Sequence, residues 1–93
     1  MPNIKTLSDL TIDPRNARRH NPRNLGMITS AIDAVGVARS GVIDENGVIL
    51  AGNGTYEALT AKGINKVKVV QADGREWVVV QRTGLTEEQK RVL

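Results

Sequence analysis

The sequence predicts an α+β domain, a small mixed sheet with two to three packed helices, and three observations predict it. Short apolar runs of strand length recur between Gly-, Asn- and Asp-containing turns, as in Gly41-Val-Ile-Asp44, Val48-Ile-Leu50, Val67-Lys-Val-Val70 and Trp77-Val-Val-Val80. Between Leu25 and Val35 the apolar spacing changes to three and four, the period of a helix with one buried face. At Val48–Gly63 a strand-like run breaks at Gly52 and Gly54 and restarts with helical spacing. Ninety-three residues make one domain with one core. That core is aliphatic, since the chain has no Phe, one Trp and one Tyr.

Taken in order, Leu7–Ile12 suits a short edge strand that places Leu10 and Ile12 on one face, ended by Asp13-Pro14. Asp13–Asn24 is rich in Pro, Asn and Arg, has no apolar period and reads as a loop fixed at Pro14 and Pro22. A helix follows from Leu25, with Asn24 as N-cap, Gly36 as C-cap, and Leu25, Ile28, Ile32 and Val35 on its apolar face. Gly41–Asp44 pairs with Val48–Leu50 across Glu45-Asn46-Gly47, because Asn-Gly favours a tight hairpin turn. The next helix starts near Thr55, is capped by Asn53 or Thr55, turns Tyr56, Ala58 and Leu59 inward, and closes at Lys62-Gly63. Val67–Val70 and Trp77–Val80 form a second hairpin around Asp73-Gly74, with Trp77 packed at a sheet surface. Thr86-Glu-Glu-Gln89 fits a capping box that opens a final helix of about two turns. Residues 1–93 are expected to form a single domain whose last element is cut short.

Composition removes several functions. Without cysteine there are no disulfides, no thiolate chemistry and no Cys-ligated zinc, and one histidine cannot build a His-rich metal site. The shortage of aromatic residues counts against a single-strand RNA reader, which needs stacking platforms. No apolar stretch has the length of a membrane span and the N-terminus has no hydrophobic signal segment, so the expected location is cytoplasmic, away from membranes. The net charge of +3 is one-sided: residues 1–23 hold five basic groups against two acidic, and the remainder is balanced. Arg15, Arg18, Arg19 and Arg23, with His20, form a candidate patch for the phosphates of a nucleotide or of DNA, against the plainer reading of a solvated basic loop.

The turn between Ala51 and Thr55 is the candidate site. A Gly-x-Gly corner leaves backbone N–H groups at the positive end of a helix dipole, which suits an anion. An isolated Gly-x-Gly is also what a plain strand-to-helix connection looks like, and it lacks the Lys-Ser/Thr of a P-loop.

As an ordered set, Asp13-Pro-Arg-Asn-Ala-Arg18, Ser30-Ala-Ile-Asp-Ala-Val-Gly36, Gly41-Val-Ile-Asp44, Ile49-Leu-Ala-Gly-Asn-Gly-Thr-Tyr-Glu-Ala58 and Gly63-Ile-Asn-Lys-Val-Lys-Val-Val70 resemble the ParB/sulfiredoxin superfamily. The likeness is to the ParB-like N-terminal (ParB-like nuclease) domain of partition, phage and mobile-element proteins, and spans roughly residues 7–80. It implies a ParB/sulfiredoxin-like fold and a nucleotide triphosphate, CTP or ATP with Mg²⁺, held over the corner by Gly52, Asn53, Gly54 and Thr55. Arg15, Arg18 and Arg19 would add charge. In partition proteins of this family the corner reads Gly-x-Arg-Arg and its arginines clamp the phosphates; the matching positions here are Gly54 and Thr55, so that clamp is missing. Sulfiredoxins carry a catalytic Cys where this chain has Asn53, which excludes cysteine-sulfinic acid repair. A further polar motif of some members would lie beyond Leu93.

Three functions follow. The first is a nucleotide-binding regulatory module of a DNA-partition or mobile-element protein, with DNA contact through Arg15–Arg23. The second is a ParB-like nuclease or nucleotide hydrolase, for which Glu57, and less so Asp44 and Glu45 beside their turn, would serve metal or base chemistry. The third is a non-catalytic interaction domain, such as a homodimer, with a degenerate nucleotide site.

Overall fold

The amino-terminal segment bends before it pairs. In the computed structural model, which describes residues 3–12 and 22–93, Leu7–Asp9 is a 3-10 turn. The Asp9 carboxylate accepts hydrogen bonds from the backbone N–H groups of Lys5 and Thr6, each at 3.0 Å, and from the Thr6 hydroxyl at 3.1 Å. The expected edge strand Leu7–Ile12 is shortened to Thr11–Ile12, because the amides of Asp9 and Leu10 turn back onto Thr6 O and Leu7 O, at 3.1 and 3.0 Å, and leave the ladder. The elements then follow as β1 (Thr11–Ile12), α1 (Pro22–Val35), β2 (Val42–Ile43), β3 (Val48–Ala51), α2 (Asn53–Lys62) and α3 (Glu87–Val92).

The sheet is mixed, in the order β1-β3-β2. β1 lies parallel to β3 with Thr11 beside Val48 and Ile12 beside Ile49. β2 is antiparallel to β3, with an irregularity between Val42 and Ile43. The β2–β3 turn forms as its sequence demands. Gly47 takes φ +82°, and the Asp44 carboxylate accepts from the amides of Asn46 and Val48, both at 2.9 Å. This is a three-residue hairpin loop closed by a left-handed glycine.

Helix α1 begins at Pro22, not Leu25, so Asn24 lies inside it and is not its N-cap. Proline at a first helical position loses no hydrogen bond, since that amide has no intrahelical acceptor. Leu25, Ile28 and Ile32 are half-buried and Val35 is buried, as the spacing requires. The helix ends at Gly36, φ +77°, whose amide reaches Ile32 O at 2.7 Å. α1 packs against α2 and α3. The buried apolar side chains among the described residues are Leu7, Val35, Ile49 and Ala58. They come from the 3-10 turn, α1, β3 and α2, so each part contributes to one small aliphatic core.

The second hairpin does not form. Among the described residues, strand pairing of the 64–81 segment is limited to the antiparallel bridge between Thr6 and Lys66, made by Leu7 N–H to Asn65 O and Val67 N–H to Lys5 O, both 2.9 Å. Asp73-Gly74 does bend the chain, with Gly74 at φ +87° and the Asp73 carboxylate accepting from Arg75 N–H. Its two flanks make no ladder among the described residues, and Trp77 is 90% exposed instead of packed. A two-stranded ribbon without an apolar surface beneath it is at best marginally stable, and nothing among the described residues lies under this one.

The segment after Trp77 is held by polar contacts. The Arg82 guanidinium donates from Nη1 to Val35 O and Val37 O, and Gln89 Nε2 donates to Ala34 O at 3.0 Å. These contacts satisfy carbonyls at the α1 C-terminus, where the helix dipole favours a cation. The Thr86 capping box closes in both directions, Gln89 N–H to Thr86 Oγ1 at 3.1 Å and Thr86 N–H to Gln89 Oε1 at 2.9 Å.

Candidate functional site

The corner between β3 and α2 is built from glycine backbone. Gly52 takes φ +111°, a left-handed conformation that side chains rarely adopt, and so turns the strand end directly into the helix. Helix α2 starts at Asn53, two residues before Thr55, and Gly52 is its N-cap. Neither Asn53 nor Thr55 occupies the capping position, because the turn is completed by backbone geometry before either is reached. The first intrahelical bond runs from Tyr56 N–H to Gly52 O at 2.9 Å, so the amides of Gly54 and Thr55 lie ahead of it at the positive end of the helix.

Gly41 supports the corner from behind. A Cβ added at Gly41 would stand 2.9 Å from Ala51 O, and one added at Gly52 would stand 3.3 Å from Gly41 Cα. The two backbones touch, and a side chain on either would push them apart. Sequence reasoning gave Gly41 no such role. Its only signal was a glycine beside a β-run, which can mark close backbone approach.

The access to the corner is uneven. Gly52 is exposed, Asn53 and Thr55 are half-buried, and Gly54 is buried. The donors at the corner are uncharged, backbone amides and the Thr55 hydroxyl. They do not carry the charge that a triphosphate clamp uses.

The remaining sequence candidates separate. Asp44 is engaged by its own turn, Glu45 is exposed in that turn, and Glu57 is exposed on α2. Among the described residues no three His, Cys, Asp or Glu side chains converge. Tyr56 is half-buried on α2, as expected of a core-facing position. Arg15, Arg18, Arg19 and His20 lie outside the described residues. Arg23 is exposed in the first turn of α1, where it borders an open depression of ≈ 530 Å³ with Met27 and Val92. Lys62, at the far end of α2, pairs with Asp33 of α1 at 2.8 Å across a partly solvated surface, an ion pair of about 0–1 kcal/mol.

No helix among the described residues is long and apolar enough to cross a membrane. No protein-family model matches the chain, and no curated protein or solved structure matches it either.

Proposed function

We propose that the chain is a ParB-like nucleotide-binding regulatory module of a DNA-partition or mobile-element protein, with phosphate received at the β3–α2 corner. The observation that supports this reading is the left-handed Gly52, backed by Gly41, which starts α2 directly from the strand and sets its leading amides at the positive end of the helix, the end that suits an anion. Gly52, Asn53, Gly54 and Thr55 hold the phosphate in this reading, Arg15, Arg18 and Arg19 add charge, and bound CTP or ATP would bring Mg²⁺ to neutralise its phosphates. The order of motifs along residues 7–80 supports the ParB-like assignment.

Thermal unfolding with CTP, ATP or GTP and Mg²⁺ tests it. A nucleotide present at a hundred times its Kd stabilises by about 2.7 kcal/mol, which for a domain of this size raises Tm by roughly 10 °C or more. Thr55→Asp should abolish that rise, because a carboxylate there repels phosphate, while the helix itself gains from a negative charge in its first turn. A Tm unmoved by all three nucleotides sinks the reading.

The second reading is a non-catalytic interaction domain with a degenerate nucleotide site. The absence of arginine at Gly54 and Thr55 favours it, together with the exposed apolar run that follows α2. The nuclease or hydrolase reading is weaker, since Asp44 is committed to its turn and Glu57 stands without convergent carboxylates among the described residues.

A further inference from the structure

Every residue from Lys68 to Gln81 is exposed, including Val69, Val70, Val78, Val79, Val80 and Trp77. The segment is anchored at one end by Val67 N–H on Lys5 O and at the other by Arg82 on the carbonyls of Val35 and Val37. Between those anchors it pairs with no described strand. β-branched residues with no ladder partner and no apolar cover form an open edge, which in water tends to find another strand.

The charges of the arm select its occupant. Consider two copies running antiparallel about a two-fold axis through Val79. Glu76 then stands opposite Arg82 of the second copy, Trp77 opposite Gln81, and Val78 opposite Val80. The symmetry repeats each pair, so the match carries opposite charges at both ends, valine pairs at the centre and a Trp77–Gln81 pair between them. Slipping the register so that the axis falls between Val78 and Val79 sets Arg75 against Arg82, a like-charge pair. Arg82 can serve both purposes, since Nη1 faces the α1 carbonyls while Nη2 and Nε carry further donors. A nucleic acid suits the arm less well, because Glu76 adjoins the arm's one aromatic ring and would repel the backbone beside it.

We infer that residues 76–82 are a homodimerisation strand, pairing antiparallel with the same residues of a second copy about an axis at Val79. This association needs no nucleotide. It sets Trp77 and the valines against a second chain, and because a two-stranded ribbon with no sheet beneath it is marginal, the dimer is weak and assembles only at high protein concentration.

Sedimentation velocity on the full chain, from micromolar concentration to about 1 mM, tests it. The expected result is a monomer–dimer equilibrium that Val79→Lys abolishes with the circular dichroism spectrum unchanged, since Val79 is exposed in the monomer. The Trp77 emission should move to shorter wavelength as the dimer forms. Val79→Cys, in a chain with no other cysteine, should oxidise to a linked dimer faster than Gln71→Cys. If Val79→Lys perturbs folding, Glu76→Arg replaces it by setting arginine against Arg82, and should dissociate the dimer. A chain monomeric throughout overturns the inference, whether its Trp77 emission is water-like, already shifted by closure onto its own sheet, or shifted only on adding single-stranded DNA. So does a dimer that survives Val79→Lys or Glu76→Arg in a folded protein, or a ladder of larger assemblies.

Discussion

Two glycines of this chain respond to the same substitution with opposite signs. Gly41 has Ala51 O where a Cβ would go, at 2.9 Å, and a backbone oxygen in a hairpin cannot swing aside as a side chain can. Gly41→Ala should therefore destabilise by about 1–3 kcal/mol, lowering Tm by several degrees. Gly26 sits inside α1 with nothing within 4 Å of an added Cβ. Gly26→Ala should stabilise by about 0.5–1 kcal/mol, because alanine loses less backbone entropy in a helix. Calorimetric melts of the two variants beside the parent check both signs. Asp9 offers a pH test at the same scale. Hydrogen bonds from the Lys5 amide, then the Thr6 amide, hold its carboxyl below the usual carboxylate range, with the Thr6 hydroxyl adding a smaller effect in the same direction and desolvation opposing them. A carboxyl depressed in the folded state contributes stability that is present above its unfolded pKa and fades as pH falls through the folded one. The amide resonances of Lys5 and Thr6 should therefore hold their neutral-pH positions down to the ordinary carboxylate range and move only below it.

At the scale of elements, the sequence was most legible where a local rule decided the outcome. Asn46-Gly47 made its hairpin, Gly36 and Gly63 ended their helices with left-handed backbones, and Thr86 closed its capping box with Gln89. Periodicity places Leu25, Ile28, Ile32 and Val35 on the inner face of α1 but not its start at Pro22, because proline marks loops and first helical positions alike. The Gly52 corner was legible as strand, turn and helix. Its support by Gly41 was not, since close approach of two backbones leaves no pattern in a single chain. The 67–80 hairpin failed for a related reason: strand propensity describes a residue that fits a half-buried surface and cannot show whether that surface exists. Arg82 was equally invisible, because its acceptors lie 45 and 47 residues earlier. Arg82→Ala should cost about 1–2 kcal/mol by leaving α1 carbonyls without a cationic donor. Hydrogen exchange should show it as lost protection in α3 and in the last turn of α1, with β2 and β3 unchanged.

For the whole molecule, the most telling connection is the one that joins its beginning to its second half. Leu7 is buried, and its amide meets Asn65 O while Lys5 receives Val67. The β2–β3 hairpin and α2 are formed by near neighbours, but this contact spans 58 residues. Closing so long a loop carries an entropic penalty before any contact rewards it. The amino-terminal strap should therefore dock after the transition state, on a hairpin and helices already assembled. Leu7→Ala should speed unfolding in a stopped-flow chevron and leave the refolding limb almost where it was, a φ-value near zero. The lifetime of the folded chain is then governed by its first dozen residues, whereas the speed with which it folds is set by the middle.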